Sequence, residues 1–252
     1  MDNLNLDSRS FQLKHPFRML ISGPSGVGKS RFVLDQIISQ KECINEQIQR
    51  IFYYYGTFDA KFHTELHATA KAVYNLNITF EKGIANVDPD VLDPSTPTLL
   101  IFDDLFMEIH ASPLLAHYFT RDTRHKSTSV VLIQQTIFGR GKFAREISLN
   151  CNYFVCFKNL IDQEQFAILA RRIEPHRSAF LQNCLELATR NNNHGHLLMD
   201  LVPDTHDLLR YRQGIARKTC ALYVAKDCDI ATVHVSEPYI NSENGHLRNQ
   251  SE

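Results

Sequence analysis

Chemistry is most concentrated in the stretch "GPSGVGKS", where Gly23, Gly28, Lys29 and Ser30 fit the spacing G-x-x-x-x-G-K-[ST]. Glycines so placed let the backbone turn tightly and aim its N–H groups at phosphate oxygens. The Lys29 ammonium reaches toward β- and γ-phosphates, and the Ser30 hydroxyl suits Mg2+. A helix beginning at this point adds the positive end of its dipole. The expected cradle for a nucleoside triphosphate is Gly23, Pro24, Ser25, Gly26, Val27, Gly28, Lys29, Ser30 and Arg31. A chance match in a chain of this length has odds of roughly 1% by average residue usage.

Two further strand ends carry polar groups that fit the same chemistry. "TLLIFDDL" (Thr98–Leu105) closes an apolar run on Asp103 and Asp104. An acid at the carboxyl end of a central strand holds Mg2+, and a second acid orients or deprotonates the attacking water. Asp103 is assigned to the metal and Asp104 to the water. "TSVVLIQQ" ends in two amides, Gln134 and Gln135. An amide can donate to a phosphate and accept from water at once. The two-residue period of a strand allows only one of the two to face the site.

These groups need a scaffold that brings several strand ends together. Short apolar runs at Phe17–Ser22, Arg50–Gly56, Thr98–Leu105, Cys151–Asn159 and His194–Val202, with "TSVVLIQQ", read as strands. A further edge-like strand is expected within Val73–Gly83. Helical spacing follows the phosphate loop at Phe32, Val33, Ile37 and Ile38, and recurs over Ser112–Asp122, Asp162–Ile173 and His176–Arg190. Strands alternating with helices predict a three-layer α/β domain with a mostly parallel sheet. Continuous runs such as "LLIF" and "VVLI" fit strands covered on both faces.

Bulk properties narrow the function classes. The chain has 252 residues, 43% hydrophobic and 22% charged. That length buries roughly 70–75% of the unfolded surface. The formal net charge of -1 supplies no global field for nucleic acid, so a polyanion site must be a local patch. Six scattered cysteines form no CxxC pair and share no zinc spacing with histidine, which reads as reduced thiols in an intracellular protein. No apolar run approaches the ~18 residues that span a bilayer, so no membrane partner is expected. Residues 1–15 read as a polar lead-in, 16–216 as one domain, and 217–252 as an extension with a disordered end.

The order "HPFRMLISGPSGVGKS", "IFYYYG", "LLIFDDL", "RHKSTSVVLIQQTIF", "GKFAREISLN", "NYFVCFKN", "ILARRI" and "GHLLMDLVPDTHDLLRYR" resembles the genome-packaging ATPases of the poxvirus-like group in the FtsK–HerA superfamily, in particular those of Polinton/Maverick elements and adintovirus-like DNA viruses. The resemblance covers roughly residues 15–215. It implies an ASCE (RecA-like) P-loop fold, ATP and Mg2+ as ligands, and a homo-oligomeric ring that drives double-stranded DNA into a capsid with a capsid or portal-like partner. It implies residence in the nucleus, a viral factory or the virion. It places the sensor amide on Gln135, the loop lysine and serine on Lys29 and Ser30, and the acidic pair on Asp103 and Asp104. One departure stands out: relatives read F-K-N-P-R-D where this chain has "FKNLID", so Leu160 and Ile161 replace proline and arginine.

The resemblance also gives the flanking cations a task. Arg121, Arg124, Lys126, Arg140, Lys142 and Arg145 are separated by a single acid, Asp122. Such a patch tracks DNA phosphates without reading sequence. Arg124 or Arg145 is alternatively a finger that completes a neighbouring subunit's site. A second cationic run lies at Arg210–Lys218, and the tyrosines of "YYYG" either stack on a base or pack. Two other functions remain open from sequence: a nucleotide-gated binding module without turnover, and a small-molecule P-loop kinase, for which no lid is apparent.

Overall fold

A computed structural model describes residues 8–85, 92–105, 108, 111–122, 126–190, 192–215, 219–226 and 229–236. The apolar runs become strands β1 (Arg18–Ser22), β2 (Arg50–Tyr55), β3 (Ile78–Lys82), β4 (Thr98–Asp103), β5 (Thr128–Gln134), β6 (Tyr153–Phe157) and β7 (His196–Asp200). Strands β8 (Tyr211–Gln213), β9 (Thr219–Lys226) and β10 (Asp229–Ser236) follow. All ten join one sheet in the order β10-β9-β8-β7-β6-β1-β5-β4-β2-β3. From β6 to β3 every neighbouring pair is parallel; from β6 to β10 every pair is antiparallel. The strand expected within Val73–Gly83 is β3, and it is an edge.

The parallel strands are covered on both faces. Met19, Ile21, Ile101, Val131, Ile133 and Val155 point to one side, and Leu20, Leu100, Phe102, Val130, Leu132 and Phe154 to the other. The first face packs against α1 (Lys29–Phe32, continued in wider π-type turns over Val33–Ile38) and α2 (Ala60–Tyr74). The second packs against α3 (Pro113–His117), which widens at Tyr118–Asp122, and against α4 (Ala144–Leu149), α5 (Gln163–Ile173) and α6 (Ser178–Thr189). This is the expected three-layer α/β fold. All seven residues of β5 are buried. Burying Val130, Val131, Leu132 and Ile133 contributes about 1.5–3 kcal/mol per side chain.

Two segments flanking the expected domain join it. Part of the lead-in is docked: Leu13 bridges to Ile44, and Phe11 is buried with Leu209, Cys220 and Leu222. Past residue 216, β9 and β10 pair along their full length and extend the same sheet, while residues 237–252 lie outside the described part. Helix α2 has no counterpart in the sequence reading. It is capped by Asp59, whose carboxylate accepts from the Phe62 N–H at 3.0 Å, and ends at Asn75 with φ 57°.

Candidate nucleotide site

Because β1, β4 and β5 are parallel neighbours, their carboxyl ends open at one edge of the sheet, where ligands of open α/β folds bind. The turn from β1 into α1 is the stretch Gly23–Gly28. Gly28 has φ 100°, and a Cβ there would sit 2.9 Å from the His194 ring, so only glycine fits. His194 Nδ1 lies 2.9 Å from the Val27 carbonyl oxygen, which braces the loop against the start of β7.

Lys29 folds back over its own loop and donates to the carbonyls of Gly23 at 2.8 Å and Pro24 at 2.7 Å. Burial lowers its pKa, and the charges of Asp103 and Asp104 oppose that shift. The Ser30 hydroxyl donates to Asp103 Oδ2 at 2.6 Å. The same oxygen accepts from the Tyr53 hydroxyl. Burial pushes the Asp103 carboxyl upward, opposed by the Ser30 and Tyr53 hydrogen bonds. Burial beside Asp103 keeps Tyr53 in its protonated form.

Asp104 leaves the strand in a left-handed conformation, φ 56°, which breaks the alternation that would send its side chain away from that of Asp103. Its exposed side chain stays near enough to Lys29 to act on the ammonium. Gly56 makes this turn possible: its N–H donates to the Asp103 carbonyl at 2.9 Å, and a Cβ there would fall 2.3 Å from the Asp104 carbonyl oxygen.

The two glutamines separate cleanly. Gln134 is buried and donates to the carbonyls of Thr136 and Ile137, at 2.6 and 3.2 Å, fixing the turn after β5. Gln135 is exposed and lines a cleft with Ser22 and Gly23. Lys158, Asn159, Gln163, Gln182 and Glu186 line it as well. Leu160 and Ile161, in the "FKNLID" turn beside this cleft, are 71% and 97% exposed. Asn159 Oδ1 shapes that turn by accepting from the N–H groups of Ile161 and Asp162.

Lys29, Ser30, Asp103 and Asp104 are therefore gathered at one place, with Gln135 on the cleft that borders the loop. Arg31 turns elsewhere: its guanidinium is held by Asp35 at 3.0 Å and Glu65 at 2.8 Å. Arg145 is exposed on α4, which packs beside the turn at Tyr118–Asp122 that leads into β5. Arg140 and Lys142 are also exposed; Arg124 lies outside the described residues. Tyr53 was missed as a site residue, because its contact depends on strand pairing that the sequence does not print.

A Ser30 hydroxyl and an Asp103 carboxylate are hard oxygen donors, and they fit Mg2+, which takes one or two carboxylates together with phosphate oxygens. Among the described residues no group of three His, Cys, Asp or Glu side chains offers a metal cage by itself, and no helix is long and apolar enough to cross a membrane. Cys43, Cys151, Cys156, Cys184 and Cys220 are buried free thiols.

No protein-family model matches the chain. Among characterised proteins it is 27% identical, over 213 residues, to the DNA packaging protein OPG160 of monkeypox virus, covering 77% of this chain and 66% of that protein. The vaccinia virus (strain Copenhagen) DNA packaging protein OPG160 matches at the same identity, with 73% of its length covered. Among solved structures, B204, the DNA-packaging ATPase of Sulfolobus turreted icosahedral virus, superposes with a TM-score of 0.52. That superposition spans 80% of this chain and 98% of B204 at 12% identity. The chain is thus similar in sequence to poxvirus DNA packaging proteins, and its mostly parallel α/β fold is one it shares with B204.

Proposed function

We propose that the chain binds ATP and Mg2+ on Gly23–Ser30 and hydrolyses the nucleotide to move double-stranded DNA, packaging a viral or virus-like transposon genome. The observation that carries this reading is the meeting of Lys29, Ser30 and Asp103 at the ends of β1 and β4, with a free carboxylate and an exposed amide beside them. The ATPase unit is residues 16–216, and the extension from 217 adds to its sheet edge.

Each residue then has a task. Lys29 exchanges the carbonyls of Gly23 and Pro24 for β- and γ-phosphate oxygens, while the loop amides hold the rest of the chain of phosphates. Ser30 and Asp103 would hold the Mg2+, which would supply positive charge against that developing in the transition state. Asp104 orients a water and takes its proton as the water oxygen bonds to the γ-phosphorus. The bond from that phosphorus to the β–γ bridging oxygen breaks, and ADP leaves with the electron pair. Gln135 donates to the γ-phosphate and accepts from the same water, so turnover depends on where the end of β5 sits.

The remaining charge comes from a neighbouring copy in a ring, through Arg124 or Arg145. The exposure of Arg145 leaves it open to another subunit. Arg140 and Lys142 provide exposed cations for DNA phosphates. A capsid or portal-like protein is the expected docking partner, and the FtsK–HerA lineage and Polinton-type origin belong to the same reading. Phosphate release measured with and without duplex DNA tests it. Stimulation by DNA is expected for a motor; binding of ATP with no turnover under either condition would instead identify a nucleotide-gated module.

A further inference from the structure

Tyr53 is fully buried in the middle of β2, three strands from β1, which leads into the phosphate loop. The β2–β4 register sets Tyr53 opposite Ile101 and Tyr55 opposite Asp103. Partners in register share a face, so Tyr53 and Asp103 are diagonal neighbours on the face that also carries α1. Asp103 Oδ2 accepts from both the Tyr53 and the Ser30 hydroxyls.

The ring of Tyr53 has little freedom to swing. His63 stands edge-on to it at 5.5 Å between centroids, and Phe80 and Phe62 close around it at 5.8 and 6.4 Å. His63 is itself fixed by its Nδ1, 2.6 Å from the Asp59 carbonyl oxygen at the cap of α2. The hydroxyl is thus preset by packing that does not involve the loop.

We propose that Tyr53 is a positioning residue for the metal site: it holds Asp103 in the orientation in which Asp103 and Ser30 share Mg2+. This inference rests on the Mg2+–ATP reading above. Ser30 is in the first turn of α1, directly after the loop, whereas Tyr53 is on the sheet. When Ser30 turns its oxygen to the metal, Tyr53 keeps the carboxylate from rotating. Groups that orient metal ligands in this way typically contribute 10–100-fold in metal affinity or activity.

The test is Tyr53→Phe, which keeps the ring and removes the hydroxyl. Mn2+ serves as the spectroscopic probe, titrated by electron spin resonance into protein saturated with a non-hydrolysable ATP analogue. A roughly 10-fold or greater loss of Mn2+ affinity is expected. Affinity for the analogue without metal should hold, which also reports that the variant is folded, and raised Mg2+ should restore turnover. Tyr153→Phe is the control. Its hydroxyl is also buried on the same face but accepts from the Lys14 N–H, so its loss should leave Mn2+ binding unchanged. Equal Mn2+ affinity in Tyr53→Phe and wild type overturns the inference and leaves the Mg2+–ATP reading intact. A wild-type protein that binds the analogue but no Mn2+ overturns the metal reading and this inference together.

Discussion

On the parallel side of the sheet, Asp103 is held by two neutral hydroxyls, those of Ser30 and Tyr53. On the antiparallel side, Asp200 is held by the Arg212 guanidinium at 3.2 Å, the Thr205 hydroxyl at 2.9 Å and the Val202 N–H at 3.2 Å. Both acids are at strand ends; Asp200 is buried and Asp103 partly buried. Asp200 meets a full opposite charge, and Arg212 also donates to the carbonyls of Leu209 and Phe11, tying the lead-in to the sheet. Asp103 has no such partner; Lys29 acts on it from the loop while donating to carbonyls of its own. The difference separates an acid whose charge is used up in structure from one whose charge is still available to a cation. It also follows strand direction. Parallel strands stack their carboxyl ends at one edge, so loop, acid and amide converge there; antiparallel strands alternate ends and supply support instead.

The sharpest break of this comparison is Arg212→Met. It leaves Asp200 buried without its cation and should cost about 3–5 kcal/mol in denaturant unfolding, with no change in turnover per folded molecule. Adding Asp200→Leu should recover most of that loss. Lys29→Ala is the converse. Turnover should fall about 100–1,000-fold, as when one preorganised electrostatic contact is lost, while stability stays close to wild type.

Acidification probes the support side separately. His196 is buried against Phe32 and Phe157, and burial lowers its pKa to about 4. The unfolded chain, near 6.5, takes up that proton first, so the stability from a neutral His196 is present above about pH 6.5 and is lost as pH falls toward 4. His15, lowered by burial as well, adds to the same slope. The span for His196 is on the order of 3 kcal/mol. The gap between unfolding midpoints at pH 7.5 and pH 5 should narrow in His196→Leu. The smallest effect is expected from Arg31→Ala, which removes exposed ion pairs to Asp35 and Glu65: roughly 0.2–1 kcal/mol of stability, and no loss of nucleotide affinity.

Much of the parallel half is legible in the sequence because its signals are local. The loop has a fixed spacing, and "LLIF" and "VVLI" announce strands covered twice. Helix α2 is harder to see, since its buried stripe of His63, Leu66, Ala70 and Tyr74 includes a histidine, a small residue and a tyrosine that blur the apolar period. The hairpin β9–β10 is diluted in the same way by Cys220, Ala221, Ala225 and His234. Which glutamine is free depends on the turn that Gln134 stabilises, and Tyr53 reaches Asp103 only through the β2–β4 register. Both are facts of pairing between distant segments, which composition and spacing do not carry.

The most direct test of the central claim is a structure of the protein with a non-hydrolysable ATP analogue and Mg2+. The account predicts Lys29 released from the Gly23 and Pro24 carbonyls onto the phosphates, metal density between Ser30 and Asp103, and the Gln135 amide within hydrogen-bonding distance of the γ-phosphate. A triphosphate bound away from Gly23–Ser30, or a γ-phosphate that Gln135 cannot reach, would contradict it.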